Sequence, residues 1–352
     1  MGEKVRMTRM VVNVWMMMIV TMGVSTNVDG SDHNHDAHNA LCDLLSVSVK
    51  KWGEVKERKH DDPLRKALKQ TIFGYGSVGE DLDKLKTKFP KDYEGVEGRL
   101  SSRSNWCGQP HEWDGYFKDE DRWSGHSAPH DMVCLCTVGE KGWPLNESKS
   151  YSDAETTLCG QDKQTLGATD GKGWDDDRKE KRGENHVNAT WFGVTVSCLK
   201  GETSGDLKKA LKNFLGKLEH NPGHGYDNRY RLGKGNVSSY AACNGKPELG
   251  VCAMYYNTTK PLPWWTELER ALIEDEKIQK QREEEERRKQ QGETEKQDLP
   301  KTAAITSGPS TTNQTEGTHK NTLHEAIRKL NMTSGTPISM PSSWLLSVVF
   351  LI

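Results

Sequence analysis

Cys134 and Cys136 stand one residue apart in the stretch HDMVCLCTVGEKGW, and His130 lies four residues upstream of the first. Such a set could ligate a metal, act as a reactive thiol pair, or supply halves of two different disulfides. Zinc sites use Cys-x-x-Cys or Cys/His pairs at ligand spacing, and Cys-x-Cys is not that arrangement. A reactive thiol needs a free sulfur and a positioned base. A disulfide closed across one residue is badly strained, and along an extended strand the two sulfurs would point the same way, so the expected outcome is two separate partners. A second cluster, His33, His35 and His38 among Asp32 and Asp36, could hold a metal loosely, but it is short and reads as a polar lead into a helix. The segment DGKGWDDD lacks the alternating acidic ligands and closing Glu of an EF-hand loop. No Gly-x-Ser-x-Gly elbow, Walker-type loop or HExxH occurs, so no catalytic, cofactor or metal residue is nominated.

The ends of the chain speak to the compartment, and the compartment to the thiols. Lys4, Arg6 and Arg9 precede an apolar run from Met10 to Met22 and then the small residues Gly23 and Ser25, the layout of a secretory signal over residues 1–25. At the other end, Ser334, Gly335 and Thr336 are followed by a polar spacer and the apolar run Trp344 to Ile352, which is about half the length of a spanning helix. This is the pattern of a GPI-attachment signal over residues 335–352, with Ser334 as the lipidation site. In a secreted chain the even set Cys42, Cys107, Cys134, Cys136, Cys159, Cys198, Cys243 and Cys252 is expected to be fully oxidised. Cys243 and Cys252, with a Gly- and Pro-containing turn between them, are an expected pair. Six sequons, at Asn146, Asn188, Asn236, Asn257, Asn313 and Asn331, are candidate glycan acceptors. The net charge of -2 at pH 7 gives no global basic field to recruit nucleic acid. Only 33% of residues are hydrophobic, which predicts a thin or elongated core stapled by disulfides.

The elements that would position these residues are mostly helical. Leu41, Leu44, Leu45, Val49 and Trp52 recur at helical spacing, and Asp62, Pro63 and Gly74 punctuate a second helix through Leu64, Ala67, Leu68 and Ile72. A weaker helical segment carries Leu82, Leu85 and Phe89 before Pro90. From Lys91 to about Gly205 the texture predicts disulfide-tied loops with short strands such as Thr190 to Leu199, the tryptophans Trp106, Trp113, Trp123, Trp143 and Trp174 filling small cores. Leu207, Ala210, Leu211, Phe214, Leu215 and Leu218 predict another helix, closed by Pro222 and Gly223. A last helix opens at Pro263 and continues as a solvated charged run with Glu276, Glu283, Glu284 and Glu285 each four residues before a base. The apolar stripes of Leu41 to Trp52 and Leu207 to Leu218 need helix partners, which suggests dimerisation through this region. Residues 292–334 read as a flexible Ser/Thr/Pro stalk.

With these residues in hand, the chain resembles the variant surface glycoproteins of African trypanosomes, especially congolense-type members of the B-type group. The resemblance runs in order through HNALCDLLSVSVKKWGE, TIFGYG, NWCGQP, SAPHDMVCLCTVGEKGWPL, LKKALKNF, RLGKGN, GVCAMYYN and PWWTELERALIEDE, about Ala37 to Glu276. It implies a mainly α, elongated helical-bundle or coiled-coil N-terminal domain over residues 26–291, dimeric and carried by GPI lipid on the outer leaflet of the plasma membrane. It also implies a coat acting in antigenic variation and evasion of host antibodies. Many relatives carry a cysteine-rich C-terminal domain, whereas no cysteine follows Cys252 here. The alternative is a surface receptor on the same scaffold, of the haptoglobin-haemoglobin or transferrin type.

Overall fold

Leucines and Trp52 at helical spacing nucleate helix α1, His35–Val55, which starts two turns before the first apolar residue of the stripe. In the computed structural model, residues 31–96, 102–111, 120–147, 156–176, 183–223, 225–236, 242–258 and 260–297 are described. The expected signal segment 1–25, Trp113, Asn313, Asn331, Ser334 and the expected GPI-attachment segment 335–352 lie outside them. Numbered in chain order, the remaining helices are α2 Pro63–Phe73, α3 Leu82–Thr87, α4 Arg103–Cys107, α5 Ala128–Cys136, α6 Gly183–Thr190, α7 Val196–Cys198, α8 Leu207–Leu215 and α9 Trp264–Gln297. The strands are β1 Asp32–His33, β2 Thr157–Leu158, β3 Glu219–His220, β4 Arg229–Lys234 and β5 Val251–Tyr256. About half of the described residues are helical and few are in strands, with four disulfides among them.

Helix α2 has the predicted bounds for the predicted reasons. Asp62 accepts a hydrogen bond from the Arg65 N–H at 2.9 Å, Pro63 occupies the first turn, and the chain leaves the helix at Gly74. Gly74 sits at φ 99°, and a β-carbon there would stand 1.9 Å from the buried His126 ring. Helix α8 begins as predicted, with Asp206 accepting from the Lys209 N–H at 2.7 Å, but it stops at Leu215. Gly216 takes the cap position, and the segment expected to continue the helix turns into β3 instead. Strand β3 opens a three-stranded antiparallel sheet of order β3-β4-β5. All six residues of β5, VCAMYY, are buried, as expected of a continuous apolar run covered on both faces, and α5 packs against it.

Two predictions are corrected inside the cysteine-rich region. Cys134 and Cys136 lie on a helix, not a strand: Ser127 caps α5 and Pro129 sits in its first turn. All nine residues of α5 are buried, so the segment read as loops contains the centre of the core. Thr190 to Leu199 is likewise helical, running from α6 through a π-helical stretch Trp191–Thr195 into α7. Its β-branched residues suggested a strand, yet the buried positions Val187, Trp191, Val194 and Cys198 fall at steps of four, three and four, one face of a helix.

Helix α1 packs on α8, α2 and α5. The two apolar stripes thus find partners within one chain, and by themselves they no longer require a second copy. Trp264, Leu268 and Ala271 bury the start of α9. Farther on, Asp275 pairs with Arg58 at 2.7 Å and Glu276 with Lys208 at 2.6 Å before the helix becomes solvated. The helix runs to Gln297, six residues beyond the boundary read from composition. Among the described residues no helix is long and apolar enough to cross a membrane.

Candidate functional site

Residues two apart on a helix point about 200° away from each other, so α5 aims Cys134 and Cys136 at different neighbours. Cys134 bonds to Cys107 on α4, and Cys136 to Cys159 just beyond β2. Cys42 on α1 bonds to Cys198 at the end of α7, and Cys243 bonds to Cys252 on β5. None of the eight cysteines is free. Two clusters have the compactness of a metal site among the described residues, Cys107 with His130 and Cys134, and His38 with Cys42 and Cys198. In each, both sulfurs belong to one disulfide and carry no thiolate to offer a metal.

Around α5 the buried polar groups serve one another. Arg103 is fully buried, and its guanidinium donates to the carbonyls of Val138, Trp174, Cys134 and Thr137 at 2.7–3.1 Å. Two of these acceptors close the C-terminal end of α5, where carbonyls lack helical partners and the dipole favours a cation. The Trp174 ring lies 4.9 Å from the guanidinium carbon. Burial lowers the Arg103 pKa to about 9, against the opposing fields of Asp175 and Asp176. The backbone comes close here as well: a β-carbon on Gly139 would stand 1.9 Å from the Gly245 carbonyl oxygen, and one on Gly173 would stand 1.9 Å from that of Gly139.

His130 accepts from the Tyr93 hydroxyl at Nδ1 (2.9 Å) and donates from Nε2 to the Trp106 carbonyl (2.9 Å), an arrangement that assigns the neutral tautomer. Burial lowers its pKa to about 3. Asp131 accepts from the Gly125 N–H at 2.8 Å and from Trp264 Nε1 at 2.6 Å, tying α9 to α5. Burial raises its pKa to about 7. Shifted acid and base groups mark active sites only where a substrate can reach them. His130 and Asp131 have no exposed surface, so their chemistry is internal and holds the fold.

The histidine cluster does not lead passively into the helix. His33 is in β1, buried, with its ring edge-on to Trp143 at 4.8 Å, while His35 and His38 occupy the first turns of α1. Trp106, Trp123, Trp143 and Trp174 are all buried. Asn34, between the two elements, has φ 64°, and its side chain bonds Leu135, Val251 and Lys234 backbone atoms at 2.8–2.9 Å. Sequence reasoning missed Asn34 and Arg103, since neither belongs to a motif. The only local cue at Asn34 is an Asn before a helix, a type that tolerates the left-handed region.

On the surface, the sequon residues Asn146 and Asn236 are exposed, whereas Asn188 on α6 and Asn257 after β5 are half-buried. A groove of about 940 Å³ runs between the segment after α2, helix α3 and residues 121–126. Tyr75 and Val78, 52% and 98% exposed, stand along it.

A family model described as the trypanosomal VSG domain matches residues 48–297, from the middle of α1 to the last residue of α9. No curated protein and no solved structure matches the chain. The match takes in well over half of the sequence and every disulfide except the one anchored at Cys42 lies wholly within it. A disulfide-stapled helical core under a polar surface is what a structural protein needs, and the chain belongs to the trypanosomal VSG family, the structural proteins of the trypanosome surface coat.

Proposed function

We propose that this protein works as a glycosylated, lipid-tethered homodimer in the cell-surface coat, with exchange of one coat protein for another hiding the cell from host antibody. The family match over residues 48–297 carries the reading. In it, residues 1–25 direct secretion and are removed, residues 26–291 form the exposed domain, and 292–334 are the stalk. Residues 335–352 are replaced by GPI lipid on Ser334, at the extracellular face of the plasma membrane. Glycans are carried on sequon asparagines, with Asn146 and Asn236 the most accessible of those described. The reading needs no catalytic step, cofactor or metal.

Phospholipase C treatment of live cells, followed by mass spectrometry of the released protein, tests it. The expected product begins near Thr26, ends at Ser334 with lipid remnant attached, and is among the most abundant surface proteins. Recovery of peptides containing Phe350 to Ile352 from surface protein would remove the anchor reading.

The groove beside Tyr75 and Val78 favours a second reading, a receptor on the same scaffold, because a receptor needs a concave or apolar patch. Copy number separates the two. Millions of copies per cell, on the order expected when a protein covers the surface, indicate a coat, and hundreds indicate a receptor.

A further inference from the structure

The histidine cluster at the start of α1 takes no part in the coat reading, yet His35 and His38 join Asp32 and Asn39 in one hydrogen-bonded chain. Asp32 Oδ1 accepts from the Gly160 N–H at 2.9 Å, and Oδ2 accepts from His35 Nδ1 at 2.6 Å. His35 Nε2 then accepts from Asn39 Nδ2 at 2.9 Å, and Asn39 Oδ1 accepts from His38 Nδ1 at 3.2 Å. Every donor in this run faces an acceptor, which assigns the His38 proton to Nδ1 and leaves a lone pair on Nε2. That Nε2 is buried and has no hydrogen-bond partner.

The chain ends at a disulfide. One ring nitrogen of His38 lies within 4.8 Å of the sulfurs of both Cys42 and Cys198. Of the eight cysteines, Cys42 alone is a partly exposed residue, and its partner Cys198 is buried, as are both residues of each of the other three disulfides. Exchange requires a thiolate to reach a disulfide sulfur, so access and local proton acceptance decide which bond opens.

We propose that Cys42–Cys198 is a thiol-exchange site at which a low-molecular-weight thiol attacks Cys42, with His38 as the proton acceptor and Asp32, His35 and Asn39 as positioning residues. The incoming thiol gives its proton to His38 Nε2, and its sulfur bonds to Cys42 Sγ. The Cys42–Cys198 bond breaks with its electron pair on Cys198 Sγ, which takes the proton back from His38. The product is a mixed disulfide on Cys42 and a thiol on Cys198. A second thiol then attacks the mixed disulfide and leaves as the oxidised small molecule, so two thiols are oxidised and one protein disulfide is reduced. Burial holds the His38 ring below its ordinary pKa, so it is neutral near pH 7. The other groups whose fields reach it are Asp32, His35 and Asp43. None of this depends on the coat reading.

The full chain is incubated with reduced glutathione, quenched by alkylation and mapped by mass spectrometry. The expected result is glutathione on Cys42 and alkylation of Cys198 at least about tenfold faster than any labelling of the other six cysteines. His38→Gln is expected to slow that exchange by on the order of 10² near pH 7, within the usual range for lost acid–base catalysis, and to flatten its dependence on pH between 5 and 8. Asn39→Ala, at an exposed position, is expected to slow it less and to leave the fold intact by circular dichroism, which keeps the test decisive if His38→Gln misfolds. Opening of another disulfide first, an adduct on Cys198 instead of Cys42, or unchanged rates in the folded variants would overturn the proposal.

Discussion

Arg103 places a charge at the centre of the core and directs four of its five donors at buried carbonyls, of which that of Val138 also accepts from the Trp174 N–H at 2.9 Å. Replacing it by methionine takes a donor from each and leaves those of Trp174, Cys134 and Thr137 without the guanidinium, at about 1–3 kcal/mol each before relaxation. Arg103→Met should therefore destabilise the protein by at least ~3 kcal/mol in urea unfolding, and Arg103→Lys, which lacks the planar fork, should recover only part of the loss. A loss under 1 kcal/mol for Arg103→Met would show that the carbonyls are satisfied another way. Asp131 makes a prediction in pH. Its folded pKa, about 7, lies above its ordinary 3.8, so folding favours the protonated form. The stabilisation is complete below pH 4 and disappears as pH rises through 7, a swing of roughly 4 kcal/mol. His130 opposes it, because a folded pKa of about 3 contributes stability above pH 6.5 that is lost on acidification. The wild-type curve mixes the two. The difference between wild type and Asp131→Asn isolates the aspartate and should shift steadily against the wild type from pH 4 to 8. A flat difference would show that the carboxyl is not held neutral.

Among the elements, α2 and α8 follow from capping and apolar spacing alone. Asp62→Ala and Asp206→Ala should each cost about 1 kcal/mol, the usual value of an N-cap, measured by thermal unfolding. Helix α5 was opaque for the opposite reason. With every face buried it has no polar side, and nine residues without amphipathic contrast cannot be told from a strand or a loop by periodicity. Thr190 to Leu199 reads as a strand from its β-branched residues, whereas the spacing of Val187, Trp191, Val194 and Cys198 is that of one helix face. The crossing of loops at Gly139 was hidden altogether. Gly139→Ala would drive a β-carbon into the Gly245 carbonyl, backbone against backbone. A loss of about 2 kcal/mol or more is expected from the overpacking, and a neutral effect would mean that the loops can separate.

At the scale of the whole molecule, the internal packing of the helices bears on oligomeric state. The stripes on α1 and α8 cover each other, so a homodimer has to be built on surface outside the core. A chain ending at Gln297 retains every described element and should sediment as a dimer at tens of micromolar. A monomer at that concentration would favour the receptor reading over the coat. Exposed apolar side chains on described elements are few, Phe192 on the α6–α7 run and Ile273 on α9 among them, so an interface of standard size has to enlist polar surface as well.

The capped helices α2 and α8, the oxidised state expected of eight cysteines and the family to which the chain belongs were legible in the amino-acid order. Each rests on local signals: a cap and its apolar stripe lie within four residues of each other, and ordered motifs need only to be read in sequence. Cysteine pairing was legible only where the two residues are close, as with Cys243 and Cys252. Tertiary structure alone decided that Cys42 meets Cys198 across 156 positions, that Asn34 stitches α5 to β4 and β5, and that Arg103 ends α5. It alone also decided which disulfide has a partly exposed cysteine beside a histidine. These are contacts between groups that have no spacing in the chain, and the packing that brings them together is set by how all the apolar faces fit at once.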